Sequence, residues 1–386
     1  MNILYLITCF EDGDGATSGL TSQIQIDKDI LDDYLIVAKI ISTNSTAYNL
    51  VSIKDKQRIL QFFEKGNVCI HYFKAKSSNV LVDIVSMASI EIPIIATVCQ
   101  VPSYKNLWLT PFELKHIWHF VFIDKAAYNN ALISFLPNQV KSQIYCSGFG
   151  VYHDYSQVPL RKPDDKIIFG RGSTSIKCPK NMIEIFERIQ VPNKVFRIVG
   201  IEDDSWIRTE AKKYDNVEVY GKLPGKEWVE MCNSFDVFLY QIPTDCHSSI
   251  DGTLGLAMLL GKPVVYMGSE APKERFHDNK NGYVANNAKE FVEYATMLGN
   301  DSSLRKEIGE KGRLSTIHDF TPEVRISQYQ KIYLSLTEHK HFNIPFSYWA
   351  NFFLKNKGQA KQFAKGMFRF YFPRLFAFYK CLIRKQ

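Results

Sequence analysis

Thr253-Leu254-Gly255-Leu256-Ala257-Met258-Leu259-Leu260-Gly261-Lys262-Pro263-Val264-Val265-Tyr266-Met267 reads as a short helix joined to a buried strand through a Gly-Lys-Pro turn. Ala257 and Met258 suit a helix pressed on a sheet. Gly261 suits the C-terminal cap, and Pro263 stops the helix before Val264 and Val265 begin a strand. Just upstream, Asp251, Gly252, Thr253 and Gly255 line the expected helix start, where free backbone N–H groups and the helix dipole favour a phosphate or another anion.

Working outward, apolar strand-like runs alternate with more polar helix-like stretches. Before the midpoint the runs are Ile3–Thr8, Tyr34–Ile41, Val68–Tyr72, Ile92–Val98, His119–Ile123 and Gln143–Tyr145. After a polar, proline-containing stretch they resume as Lys166–Phe169, Lys194–Val199, Val217–Tyr220, Val237–Tyr240 and Pro263–Tyr266. Near-continuous apolar strands in α/β rhythm are the pattern of parallel sheets covered on both faces. The expected fold is therefore α/β, with two doubly wound, Rossmann-like domains facing a cleft. The expected divisions are 1–152 for the first domain, 153–165 for a linker, 166–318 for the second domain, 319–338 for a crossover helix and 339–386 for a tail. Within the crossover, Thr321 is the expected N-cap of a helix over Pro322–Thr337, with Ile326, Tyr329, Ile332, Tyr333 and Leu336 on one face.

Composition bounds the rest. A chain of 386 residues with 46% apolar content exceeds one hydrophobic core. Its eight cysteines are scattered without CxxC or any Cys/His cluster at metal-ligand spacing, which suggests neither a zinc site nor a disulfide framework and fits a reducing cytoplasm. The run Met1–Phe10 lacks a basic start and runs into Glu11, Asp12 and Asp14, so it reads as a first strand rather than a signal peptide. The net charge of +7 belongs to the tail: His339–Gln386 holds ten Lys/Arg, no Asp/Glu and fourteen aromatic residues. In Ala360–Tyr371, apolar positions follow helical spacing beside a stripe of Lys361, Lys365 and Arg369, as in a helix lying at a membrane surface. Packing of Trp349, Phe353 and their neighbours on the first domain is the other reading. Nucleic-acid binding ranks below both, because no single-strand-binding fold accompanies the tail.

The order of signals resembles the retaining nucleotide-sugar glycosyltransferases of the GT-B fold, group 1 or glycosyltransferase family 4. Gly170-Arg171 after a strand is similar to the family's Gly-Arg start, and Lys180-Asn181 to its phosphate-binding lysine at a helix start. Phe196–Gly200, Val217–Gly221, Asp236–Tyr240 and Ala257-Met258 with Gly261–Val265 follow in the family's order. In the first domain the likeness is looser: an opening strand, a loop with Gly13, Gly15 and Gly19, and His71 at the end of a strand. Glycines there permit close backbone approach to a donor or acceptor, or simply make a flexible turn.

The resemblance implies a glycosyltransferase that is metal-independent, needs no cofactor and takes a nucleoside diphosphate sugar as substrate. Arg171 would clamp the diphosphate. Lys180 is its expected partner, with Lys177 as competitor, and Asp251 replaces a missing acid. Gly15, Gly19, Gly170, His247, Ser248, Ser249, Gly252, Thr253 and Gly255 complete the expected donor site. The chain departs from the family at the two donor-loop glutamates, where Ser248 and Leu256 stand, and at Cys99, where a histidine is common. Leu256 accepts no hydrogen bond from a ribose hydroxyl. His71, His116 and His119 read equally as structural. Asp12-Gly13-Asp14, which resembles a metal-binding Asp-x-Asp, precedes the first helix and is discounted. The expected partners are the nucleotide sugar, a lipid-linked or saccharide acceptor of bacterial envelope polysaccharide assembly, and an anionic membrane surface held through 339–386. Nucleic acid is not among them. The place would be the inner face of the cytoplasmic membrane. The alternatives are a protein of the same fold that has lost turnover and senses sugar nucleotides or serves as an interaction subunit, and a nucleotide-sugar epimerase.

Overall fold

A strand that is buried on both faces needs apolar side chains on both, and such strands line up in parallel once crossover helices cover each side. The computed structural model of the chain describes residues 1–9, 34–40, 53–74, 92–98, 111–145, 165–244, 252–277, 279–338, 340–355, 372 and 375. They form two units, Met1–Cys146 with Arg325–Gln386, and Ser147–Val324.

The first unit carries β1 (Asn2–Cys9), β2 (Tyr34–Ile40), α1 (Ile53–Phe63), β3 (Val68–Lys74), β4 (Ile94–Val98), α2 (Pro111–His116), β5 (His119–Phe122) and β6 (Lys141–Gln143). All strand pairs are parallel, in the order β2-β1-β3-β4-β5-β6. The second unit carries β7 (Ile167–Gly172), α3 (Met182–Glu187), β8 (Lys194–Val199), α4 (Trp206–Ala211), β9 (Val217–Tyr220), α5 (Gly225–Asn233), β10 (Val237–Gln241), α6 (Gly252–Leu259), β11 (Val264–Met267), β12 (Tyr283–Val284), α7 (Ala288–Asn300) and α8 (Ser302–Phe320). Its order is β12-β11-β10-β7-β8-β9, again all parallel. Winding starts at β7 and proceeds outward in both directions, so the order reverses between β7 and β10. β12, two residues long, has no periodic signal in the sequence.

The turn between α6 and β11 is a Schellman motif. Lys262 N–H donates to Ala257 O and Gly261 N–H to Met258 O, both at 2.9 Å, with Gly261 at φ +68°. Glycine avoids the Cβ cost of that conformation. Lys262 is buried and donates from Nζ to Asn233 O at 2.7 Å, placing its cation on the last carbonyl turn of α5. α8 crosses the turn so closely that a Cβ on Gly309 would lie 2.0 Å from Gly261 O.

In the first unit, alternate strand residues face opposite layers. Leu4, Leu6, Ile70, Tyr72, Ala96 and Phe120 lie on one face; Ile3, Tyr5, Ile95 and Val121 lie on the other. Chain beyond the second unit covers both. α9 (Pro322–Ser335), with Thr321 Oγ1 accepting from Val324 N–H, buries Tyr329, Ile332 and Tyr333 on the second of these faces. Phe342, Ile344, Tyr348 and Trp349, leading into α10 (Phe346–Lys355), pack on the first. The C-terminal chain clusters with the first unit, and Phe342, Ile344, Tyr348 and Trp349 add to an apolar layer that the strands, α1 and α2 also build. The amphipathic stretch 360–371 lies outside the described residues, as does nearly all of the expected linker 153–165. No described helix is long and apolar enough to cross a membrane.

A buried polar chain pins α9. His71 Nδ1 meets Tyr333 OH at 2.6 Å and its Nε2 meets Thr97 Oγ1 at 2.8 Å, while Thr97 Oγ1 meets Tyr329 OH at 2.7 Å. Burial first, and then the Arg325 charge, push the His71 pKa down to about 3. The unfolded chain takes up this proton below pH ~6.5, whereas the folded chain refuses it until about 3. This contribution is therefore complete above pH ~6.5 and is lost as pH falls toward 3, with a limiting slope of about 1.4 kcal/mol per pH unit. Urea unfolding of wild type should show this loss, and His71→Gln should flatten the slope between pH 6 and pH 4. Gly309→Ala should destabilise the second unit by about 1–3 kcal/mol, read as a lower urea midpoint, because the new methyl meets backbone that cannot retreat.

Candidate functional site

In doubly wound sheets, ligands bind beyond the carboxyl ends of the strands where the order reverses. In the second unit that point lies between the ends of β7 and β10, and Arg171 occupies it. From the penultimate position of β7 its Nη1 donates to Gln241 O, the last residue of β10, at 2.5 Å; Nη2 donates to Lys177 O at 2.7 Å. Its Cζ lies 5.2 Å from the centroid of Tyr240. The side chain is fully buried, Nε has no hydrogen-bond partner among the described residues, and no described carboxylate pairs with the guanidinium. A buried arginine without a counter-charge is costly, and an arriving anion relieves that cost.

The loop leaving β7 supplies further cations. Lys177 holds its carbonyl on Arg171, and Lys180, exposed ahead of α3, places its ammonium 4.2 Å from the centroid of the Trp206 ring. Glu202 accepts from Ser175 N–H at 3.3 Å, and its pKa lies below the ordinary carboxylate value; burial opposes this shift, while hydrogen bonds from its own backbone N–H and from Ser175 drive it. The loop is thus tied both to β7 and to the turn after β8.

A Cβ on Gly170 would lie 2.0 Å from the Phe235 ring, and one on Gly172 would lie 2.2 Å from Trp228. Both glycines make room for aromatic rings in the layer over β7. Leu256 lies in that same apolar layer, 6% exposed. The position of the family's second glutamate is core here.

α6 begins at Gly252, which is buried, with Thr253 half-buried after it. Gly255 faces Arg275, whose Nη2 would lie 3.2 Å from a Cβ at that position. Arg275 is fully buried, with its guanidinium Cζ 4.2 Å from the Phe320 centroid, and its carbonyl accepts from Asn281 Nδ2 at 2.8 Å. The sequence reading missed Arg275, which lies outside every recognisable motif; only folding brings it against α6. Gly15, Gly19, His247, Ser248, Ser249 and Asp251 lie outside the described residues, as do Asp12 and Asp14. His71 and His119 are structural: each is buried with a hydroxyl partner, and burial pushes the His119 pKa down to about 4. Among the described residues no group of three or more His, Cys, Asp or Glu side chains could hold a metal ion.

Two parallel, doubly wound sheets in one chain, with a cation buried at the reversal point of the second, define a GT-B-type protein. Residues 153–315 match the family model of the glycosyl transferases group 1, a match that falls within the second unit. Among solved structures, Anabaena Alr3699/HepE in complex with UDP is similar over 87% of this chain and 100% of its own, at 13% identity and TM-score 0.66. A glycosyltransferase from Rickettsia africae is similar over 88% and 100%, at 15% identity and TM-score 0.64. The sucrose-phosphate synthase of Thermosynechococcus elongatus is similar over 87% and 99%, at 11% identity and TM-score 0.63. These likenesses establish the GT-B fold. No curated protein sequence matches the chain.

Arg171→Met should lower stability by about 1–3 kcal/mol, because two buried carbonyls lose their donor. Thermal unfolding with and without UDP checks this together with ligand linkage: wild type should gain stability from UDP, and the variant should gain less.

Proposed function

We propose that the chain is a retaining, metal-independent glycosyltransferase of hexosyl type that moves a sugar from a nucleoside diphosphate sugar to a lipid-linked saccharide acceptor. The observation that carries the reading is Arg171, a fully buried cation without a described carboxylate partner, at the strand-order reversal of a group 1 domain. Arg171 and Lys180 would neutralise the leaving diphosphate, the role that a bound divalent ion fills in other transferases. Gly252 and Thr253 would offer N–H groups at the start of α6, and Arg275 would fix Gly255 behind them. Lys177 would act through its carbonyl on Arg171. Asp251, Ser248, Ser249 and His247 remain the proposed sugar-side contacts, and Gly15 and Gly19 remain proposed donor contacts. The structures of Alr3699/HepE with UDP and with UDP-glucose support this choice of donor class. A similar structure of the lipopolysaccharide outer core galactosyltransferase WaaB, at 12% identity and TM-score 0.58, supports an envelope role. The acid-free tail supports work at the inner membrane face.

Purified protein should release UDP from a UDP-hexose panel in the presence of a lipid-linked saccharide acceptor. Lys180→Ala should leave the melting temperature unchanged and cut kcat/KM about tenfold or more, since a charge-assisted phosphate contact is lost from an exposed position. Nucleotide-sugar binding without turnover across donors and acceptors would instead favour the sensing or interaction role, which the departures at Ser248, Leu256 and Cys99 motivate.

A further inference from the structure

α10 has two sides that differ sharply in what they meet. Tyr348 is 5% exposed and packs with half-buried Trp349 in the first-unit core, where its ring lies 5.3 Å from that of Phe135. The buried carboxyl group of Glu113 accepts from Tyr72 OH at 2.8 Å, and its charge together with burial raises the Tyr348 pKa. The Tyr348 and Trp349 N–H groups both donate to Pro345 O, fixing the first turn. Phe346, two residues before Tyr348, is turned about 200° around the axis and is 85% exposed. A large ring held in water on a rigid, anchored turn is unusual, because folding gains nothing from it.

Its surroundings in the chain give the occupant. Among the large exposed apolar side chains the two phenylalanines are Phe346 and Phe372, with Leu375 beside the latter, and all three belong to the stretch with ten Lys/Arg and no acid. The sequence places another phenylalanine, Phe353, two turns beyond Phe346. Exposed rings combined with uncompensated positive charge complement a surface that offers both hydrocarbon and negative charge. We propose that Phe346 and Phe372 insert into an anionic lipid bilayer, with Tyr348 and Trp349 clamping this contact to the first unit. The proposal deepens the membrane reading above and rests on it: binding is expected from a platform integral to the body, rather than from a detachable tail alone.

The test uses the full chain. Vesicles of equimolar phosphatidylcholine and phosphatidylglycerol, and vesicles of phosphatidylcholine alone, are sedimented with wild type, with Phe346→Ser and with the Phe346→Ser/Phe372→Ser double variant. Wild type should sediment with the anionic vesicles and not the neutral ones. Each lost ring should weaken partitioning by roughly tenfold, as expected for removing one buried aromatic contact. Phe346→Ser should keep the wild-type melting temperature, since that ring is 85% exposed, and the double variant should still unfold cooperatively. Wild type that ignores anionic vesicles, or a double variant that binds them as tightly as wild type, overturns the proposal. UDP binding in the same samples separates this result from the catalytic reading: a double variant that loses vesicle binding but keeps UDP binding supports the platform, whereas wild type that binds vesicles but no UDP sinks the catalytic reading and leaves the membrane platform standing.

Discussion

Arg171 ties the end of β7 to the end of β10, the two strands between which the second sheet reverses its winding. Parallel pairing joins these neighbours only at Val237 with Phe169 and Phe238 with Gly170, so the strand ends need another tie. A guanidinium closes that gap with two donors in a fixed plane, which an ammonium cannot reproduce. It also leaves positive charge inside the protein, where no described carboxylate answers it. The same contact therefore serves the fold and holds a positive charge where the proposed donor diphosphate would sit. Glycines on either side of Arg171 in β7 let Phe235 and Trp228 press onto the sheet.

The first unit depends on chain that arrives last. α9 packs on one face of its sheet, and the chain around Tyr348 joins α1 and α2 on the other, so residues beyond 324 add to a core begun near the N-terminus. On the α9 side the closing contact is polar. His71, Thr97, Tyr329 and Tyr333 satisfy one another in a layer that is otherwise apolar, which fixes the register of helix on sheet as nonspecific packing would not. On the α10 side the contact is aromatic, with Glu113 accepting from Tyr72 beneath Tyr348. The charge-rich tail thus contains an uncharged stretch, Phe342–Trp349, that packs on the first unit.

Residue type alone does not say what several positions near the candidate site do. Gly170 and Gly172 make room for aromatic rings. Lys262, inside the most recognisable motif, points its ammonium at the end of α5. Arg275, outside every motif, lies fully buried against α6. Glycine, lysine and arginine are used for both packing and binding, and only their neighbours in space say which.

Hydrophobic period and turn chemistry are local, so the sequence by itself determined the strands and the turn at Gly261. Lys194–Val199 and Val217–Tyr220 occur as read, and Gly261 takes the left-handed conformation its position demanded. The same local logic carried the α9 face of Ile326, Tyr329, Ile332 and Tyr333, all of them buried. Gln143–Tyr145 was read too late, because β6, Lys141–Gln143, is a half-buried edge strand without a clean apolar run. Strand order, the partners of Arg171 and the allegiance of the C-terminal chain are non-local, with contacts spanning 70 residues for Arg171 and Gln241 and 262 for His71 and Tyr333. No window of sequence encodes such pairs. They follow from which faces remain apolar once the sheets have formed, and that is settled only when the whole chain packs.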